Sequence, residues 1–498
     1  MVVRPFIGNC WGGFDVQNCE LSLMRDDYIQ KKVSNKMSIL LLPVSLFIKR
    51  LNDLPISYLR ELPIYIFILL ILFSIILRKK VNVKGLFNSK VFIFVFIFFG
   101  LQLIAMLMSY IEIGNSVLNR NPIKEFTKLI IFAGCIFIHY YTVHFIVNSK
   151  QSIQHFIKGN FIALVILLSI CYIQLLYLFM PNIFDGFTSF IGKYFEGRHD
   201  REWYTEGSYV QTMKRINGLS PEPGYLAAQL LIIFVPFILA SIKNKVNIFS
   251  IRKKYNPVFF YFLLFSIIVI LFSAKTTTGI LAVFLIIIFF WLSLPRKRKI
   301  LLTYFILIFG TVTIILIKNT PYLMGIINDY LLNKNDGSTM NRLGGTIGLV
   351  VTWLTNFIVG IGWNYKDYYL FQNVPAWSTN NWEYNNIFVT EHFYPILSIF
   401  FGWLAEFGTF PVIFLLIYTN KLLKDFRRIE KKAEIYSVDE NNYKLICVLK
   451  DSVHFFVLYY MICSLLSFNW FESIYLIMFF FFIVVRQYYI NEFNKYNF

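Results

Sequence analysis

From Tyr225 to Ile242 the chain carries no charged residue, and the same holds from Leu62 to Leu77, Val91 to Ile111, Leu129 to Val147, Phe161 to Phe179, Pro257 to Ala274, Thr278 to Leu294 and Ile300 to Ile317. Apolar runs of this length have few physical solutions. A bilayer core takes about 20 residues of helix to cross, or somewhat fewer where the ends snorkel, and inside hydrocarbon the backbone must satisfy its own polar groups, as a helix does. Further runs cover Ser38 to Ile48, Pro395 to Thr419, Val453 to Phe468 and Ser473 to Val485. The expectation is an all-α polytopic membrane protein of about 12 transmembrane helices. Composition agrees, with 57% hydrophobic and only 15% charged residues and a mean hydropathy of +0.59, against roughly 25% charged in a soluble domain. No internal repeat and no soluble catalytic domain is visible.

The net charge of +19 would suit a nucleic-acid partner if it formed one patch, but it is distributed over short loops. Arg78, Lys79, Lys80, Lys84 and Lys90 lie in one, Lys243, Lys245, Arg252, Lys253 and Lys254 in another, and Arg296 to Lys299 in a third. None of these contains an acid, and the loop with Lys150 and Lys158 is likewise acid-free. They are alternate loops, as the positive-inside rule requires. Both termini are then expected in the cytoplasm, with two long loops, about 180–224 and 318–394, outside. Residues 1–36 carry mixed charge and no signal-like apolar core, so they read as a cytoplasmic arm, or as sequence upstream of a start at Met37. Residues 37–498 read as one integral membrane domain. The apolar piece from Gly344 to Gly360 is placed at the outer interface, because a crossing there would invert every later loop; its glycines at 344, 345, 348 and 360 suit close backbone packing.

The six cysteines, Cys10, Cys19, Cys135, Cys171, Cys447 and Cys463, avoid the long outer loops and show no metal-ligand spacing. His139 lies within an apolar run and reads as a packed or hydrogen-bonded membrane histidine. Gly-rich nucleotide loops and nucleophile elbows are absent. Chemistry gathers instead in the outer loops. Arg198, His199, Arg201, Glu202 and Glu206 crowd the first, while Arg342, Trp377, Trp382, Glu383, Glu391 and His392 populate the second. Aromatic rings beside carboxylates and amides suit sugars, although a solvated loop has a similar composition.

One turn stands apart. Arg215-Ile-Asn-Gly-Leu-Ser-Pro-Glu222-Pro-Gly224 opens the apolar run at Tyr225, so a helix beginning at Pro223 points its unpaired N–H groups and positive dipole end into the loop. Arg215 adds a planar cation suited to phosphate; an Arg215–Glu222 pair closing a structural turn is the alternative. Lys275, in Ser273-Ala-Lys-Thr-Thr-Thr-Gly279, puts a second cation at the mouth of the bundle, where an anionic partner or simple snorkelling accounts for it.

The Arg215–Gly224 segment, with Ala227 and Ala228 after it, resembles the R-x-x-G-x-x-x-E-P motif of bacterial O-antigen polymerases. The turn at 273–279 is similar to that family's second motif, Ser338 to Gly362 with Arg342 at its head to the third, and His392 followed by Glu406 and Gly408 to the last. The resemblance covers about 200–420. The gap between His392 and Glu406 is longer than the family's, and Asn385 and Asn386 are candidates for part of the histidine's role. Ligases that transfer glycan to lipid A core share the arginine, the outer loop and the histidine, whereas the Glu222-Pro223 pair looks like the polymerase side.

The resemblance implies an inverting, metal-independent glycosyltransferase in the bacterial cytoplasmic membrane. It would polymerise undecaprenyl diphosphate-linked repeat units into O-antigen or capsular polysaccharide, needing no cofactor and working beside a flippase and a chain-length regulator. Arg215, Lys275 and Arg342 would hold the diphosphate, Glu222 or His392 would serve as base, and Glu406 and Asn386 would support them. The alternatives are a ligase and, from another class, a lipid-linked oligosaccharide flippase. Transporters favour paired repeats and midplane sites, whereas the ionisable residues here gather in two unequal outer loops.

Overall fold

The computed structural model of the chain describes residues 36–47, 51, 54, 57–78, 89–196, 208–250, 253–320 and 337–495. The expectations for the N-terminal arm, Cys10, Cys19, Lys79, Lys80, Lys84, Arg252 and the cluster from Arg198 to Glu206 lie outside those residues. The described residues contain helices and no strand.

In chain order the helices are α1 (Lys36–Leu46), α2 (Leu62–Arg78), α3 (Ser89–Ile113), α4 (Pro122–Ile146), α5 (Lys150–Phe179), α6 (Pro181–Phe195) and α7 (Tyr209–Met213). There follow α8 (Pro223–Asn244), α9 (Pro257–Ser273), α10 (Thr277–Ser293), α11 (Arg296–Asn319), α12 (Gly337–Thr355) and α13 (Lys366–Asn373). The last four are α14 (Ile399–Phe407), α15 (Thr409–Ile435), α16 (Glu440–Ser464) and α17 (Ser473–Asn494). Several helices start where a short polar side chain meets an orphan N–H group. Asn121 caps α4, Ser149 forms a capping box with Ser152 on α5, Asn256 caps α9 and Thr276 caps α10. Pro122 and Pro257, one residue later, add a preset φ and need no hydrogen-bond acceptor.

Six helices among the described residues are long and apolar enough to cross a membrane: α3, α4, α5, α8, α16 and α17. Shorter apolar helices cover Lys36–Leu46, Leu62–Phe73, Pro257–Ser273 and Thr277–Ser293. The apolar runs of the sequence are therefore largely helical among the described residues, and six of the helices have full crossing length. Apolar side chains on the outside of the bundle, such as Phe96 at 74% and Ile111 at 77% exposure, fit contact with lipid.

The centre of the bundle is α8. In it 94% of the apolar stretch is buried, against 22% in α3, and a helix apolar all round belongs inside. It is not regular: Leu230–Phe234 form a π turn in which the Val235 N–H reaches back to the Leu230 carbonyl. Pro236 supplies no N–H, and the Asn160 side chain of α5 donates to the Ile233 carbonyl at 3.1 Å, which ties this irregular stretch to a neighbouring helix.

The expected single helix from Pro395 to Thr419 is corrected to two, broken at Gly408. The reason lies in the segment 357–362, which passes across the end of α14 and takes its free carbonyls. Ile361 N–H donates to Ala405 O at 2.9 Å, Gly362 N–H to Glu406 O at 3.0 Å and Thr409 N–H to Phe357 O at 3.0 Å. Gly360 and Gly408 both have positive φ, 73° and 79°. A Cβ on Gly408 would lie within contact-forbidding range of the Ile358 carbonyl, and one on Gly360 would stand 2.5 Å from the Gly408 nitrogen.

Each of the two segments expected as long outer loops contains helices. In the first, α6 buries Thr188, Ile191 and Gly192. In the second, α12 packs its small-residue face mainly on side chains rather than on another backbone: Gly344 lies on Ser378, Gly345 on the Tyr394 ring and Gly348 on Leu370 and Val374.

Candidate functional site

The turn that opens α8 rests on a polar residue in the middle of an apolar helix. Gln174 of α5 is fully buried, and its side chain accepts from Gly218 N–H at 2.8 Å while donating to Gly218 O at 3.0 Å and Asn217 Oδ1 at 3.1 Å. Gly218 has φ 61°, and a side chain there would meet Leu167, Cys171 and Leu226 at 3.0 to 3.1 Å. Asn217 in turn donates to Ser220 O at 2.7 Å and to Glu196 Oε1 at 2.9 Å. The other carboxylate oxygen of Glu196 receives the Tyr209 N–H at 2.8 Å. A buried Gln–Asn–Glu network thus joins α5, the end of α6, the start of α7 and the turn, and a buried polar network that is satisfied in this way is rigid.

Arg215 and Glu222 sit half-buried on that platform. The Arg215 guanidinium is hydrogen-bonded to the Tyr209 phenol, and Glu222 lies within electrostatic reach of the same ring. Burial first, and then the negative charge of Glu222, push the Tyr209 phenol above its usual value, while Arg215 acts the other way. Glu222 is the N-cap residue of α8, yet its side chain does not cap the helix. Its carboxylate is therefore left on the Tyr209–Arg215 side of the turn.

The second turn lies against the first. Thr276 Oγ1 accepts from Gly279 N–H at 2.9 Å, and Gly224 at the head of α8 faces Thr278 Oγ1, 3.8 Å from where a Cβ would be. The N-termini of α8 and α10 are consequently side by side. Lys275, exposed and at φ 49°, stands beside them and forms no ion pair among the described residues. Two positive dipole ends therefore lie together, with Arg215 and Glu222 on the turn before one and Lys275 on the turn before the other.

The residues of the second long loop form another group. Arg342 occupies the first turns of α12, half-buried and without an ion pair among the described residues. Its neighbour Asn341 is buried, bonding Asn381 at 2.8 Å and Glu383 at 3.0 Å, and its carbonyl receives the Tyr394 hydroxyl at 3.2 Å. His392 is exposed at φ 51°. Asn386 is exposed too, with its amide turned back to the Trp382 carbonyl at 3.0 Å. Glu406 is buried in α14 and accepts from Asn364 N–H at 3.1 Å; it supports the chain at 364 and does not line the surface. No hydrogen bond or ion pair joins Arg215 or Glu222 to Arg342 or His392 among the described residues.

Sequence reasoning missed a buried charge network beneath this second group. Asp367 bonds Arg120 at 2.5 Å and Lys366 at 2.6 Å, and it receives the Tyr394 N–H at 2.9 Å. Lys366 also donates to Tyr394 O at 2.5 Å and lies 4.1 Å from the Phe393 ring centre. Glu125 links Lys128 and Asn364, each at 2.7 Å. The network fastens the approach to His392 onto the α3–α4 connection. The adjacent opposite charges of Lys366-Asp367 within an aromatic stretch were the available signal.

Between α4, α14, α15, α16 and α17 runs an apolar groove of about 220 Å³, walled by Trp403, Phe407, Tyr460, Trp470, Tyr475 and Phe479 among others. Tyr475 lies within electrostatic reach of Tyr225 in the first turn of α8. Among the described residues no three of His, Cys, Asp and Glu converge to hold a metal ion. No family model, curated protein or solved structure matches this chain.

Proposed function

We propose that the chain is a membrane glycosyltransferase that polymerises undecaprenyl diphosphate-linked oligosaccharide repeat units at the outer leaflet, with both termini in the cytoplasm. The observation that carries the reading is the pair of helix N-termini, α8 and α10, lying side by side, with Arg215 on the turn before the first and Lys275 on the turn before the second. Such a place favours a multiply charged anion held by backbone N–H groups and cations. The apolar groove, one of whose walls is Tyr475, a residue within electrostatic reach of Tyr225, suits a ligand whose anionic head continues into a long hydrocarbon chain, as a lipid diphosphate does.

In the reaction, an acceptor sugar hydroxyl attacks the anomeric carbon of the donor glycan from the face opposite the diphosphate. The new glycosidic C–O bond forms as the bond to the diphosphate oxygen breaks, and the electron pair leaves with the lipid diphosphate. Charge growing on that oxygen is stabilised by Arg215, held beforehand by the Tyr209 phenol, and by Lys275. The hydroxyl proton passes to Glu222, the carboxylate on the same turn, or to His392 if the second loop closes over the first with Arg342 on the diphosphate.

The test is the surface-glycan ladder of a deletion strain carrying plasmid-borne variants. Arg215→Ala and Glu222→Ala are expected to leave single repeat units with normal protein levels, and Arg215→Lys to rescue incompletely because an ammonium lacks the bidentate fork. Loss of all glycan in the deletion strain would instead indicate a ligase or a flippase. An unchanged ladder with Arg215→Ala would reject the site.

A further inference from the structure

His139 of α4, fully enclosed among apolar residues, is not part of the site above. Its Nδ1 lies 2.7 Å from the Cys135 carbonyl and its Nε2 lies 2.9 Å from Ser473 Oγ, at the start of α17. Ser473 Oγ is also 2.8 Å from Glu61 Oε2, and the same oxygen receives the Ser473 N–H at 3.0 Å. His139, Ser473 and Glu61 are 1%, 0% and 4% exposed, so no bulk water can substitute for a missing bond. Three segments distant in sequence, at α2, α4 and α17, meet in this chain of contacts.

Counting hydrogens decides its state. A carbonyl only accepts, so the hydrogen of the Cys135 contact is on Nδ1. If His139 is then neutral, Nε2 is a bare lone pair and requires the Ser473 hydroxyl hydrogen. If Glu61 is ionised, Oε2 requires that same hydrogen across the 2.8 Å contact. One hydroxyl cannot serve both, and the unserved contact would press lone pair against lone pair in a buried place. One further proton resolves the conflict. On Nε2 it makes an imidazolium that donates to Ser473 Oγ, which donates to the carboxylate. On Glu61 it makes an acid that donates to Ser473 Oγ, which donates to a neutral imidazole.

We infer that Glu61, Ser473 and His139 form a proton-binding site that holds a single exchangeable proton within the bundle, passed between acid and imidazole through the serine. The ligand is the proton itself. Intramembrane acids and histidines bonded in series are the usual material of proton relays. Among the described residues, the other titratable and charged groups near it include Cys135 on α4, whose thiol is within electrostatic reach of Glu61, Tyr58, which reaches Cys135, Arg60, whose Nε is occupied by the Leu54 carbonyl at 2.6 Å, and Glu472, bonded to Asn469 at 3.0 Å. The Phe67 ring meets the imidazole edge-on at 5.5 Å. Occupancy of the site satisfies the joint between α2, α4 and α17, and loss of the proton opens it.

Full-length protein in lipid nanodiscs, labelled at histidine nitrogens and glutamate carboxyls, tests this by solid-state nuclear magnetic resonance, with signals assigned through Glu61→Gln and His139→Gln. In neutral buffer the expected pairing is imidazolium with carboxylate, or neutral imidazole with carboxylic acid. As the buffer is made alkaline, both signals should move at one midpoint with loss of one proton. Glu61→Gln supplies amide hydrogens in place of the acid, so its His139 should stay neutral and fail to respond over the same range. Ser473→Ala should separate the two titrations. A neutral imidazole beside an ionised Glu61 in neutral buffer overturns the inference, as does a common midpoint that survives Ser473→Ala.

Discussion

Replacing Gln174 by Leu tests whether the turn bearing Arg215 and Glu222 is held from within the bundle. The Gln174 amide supplies the acceptor for Gly218 N–H and a donor for Gly218 O, and residues 216–220 are all buried. Leucine fills similar space but leaves both backbone groups without a partner, at about 1–3 kcal/mol each, so the turn as a whole loses about 2–6 kcal/mol. The N–H can be read directly. Its opening should become about 5- to 150-fold more frequent for a loss of about 1–3 kcal/mol, measured by hydrogen exchange with mass spectrometry on full-length protein in nanodiscs, in peptides covering 214–222. Gln174→Glu keeps an acceptor for Gly218 N–H and loses both donated bonds, so its exchange should rise less. Unchanged exchange in the leucine variant would refute the argument that the platform sets the geometry of the turn.

Other expectations follow from the same geometry. Gly408→Ala and Gly360→Ala combine a left-handed backbone, costing about 1–2 kcal/mol, with overpacking of about 1–3 kcal/mol, so both should lower the melting point read by tryptophan fluorescence. Gly134→Ala, with open space around it, should not lower it, and equal melting of all three proteins would contradict the backbone crossing. Asp367→Ala leaves buried Lys366 without its carboxylate and should cost about 3–5 kcal/mol, with partial recovery in Asp367→Asn, which still accepts the Tyr394 N–H; full stability in the alanine variant would mean that the network is dispensable. Single cysteines replacing Asn380 should react with an impermeant reagent in intact cells, and those replacing Lys254, Arg298 or Lys431 only after permeabilisation. The reverse pattern would invert the proposed topology.

Much of this protein is local and therefore legible in one dimension. An apolar run becomes a helix because hydrocarbon or a packed interior leaves the backbone no other partner, and starts such as Asn121-Pro122, Asn256-Pro257 and Thr276 are written in neighbouring residues. The Arg215–Glu222 turn and the head of α8 were visible for the same reason, since Pro223 and Gly224 dictate a helix start. Composition alone fixed the membrane class.

What only the tertiary structure decided is which of many similar apolar helices lies at the centre, and which polar groups find each other. Nothing in the sequence distinguishes α8 from α3 by composition, yet one is enclosed and the other faces outward. The break at Gly408 depends on carbonyls claimed by residues 361 and 362. Gln174 reaches a glycine 44 positions away, Arg120 an aspartate 247 away, and Ser473 a glutamate 412 away. Hydrogen bonds and ion pairs between such residues have no period or spacing to betray them, because the partner is chosen by how helices pack and by the cost of leaving a buried polar group alone.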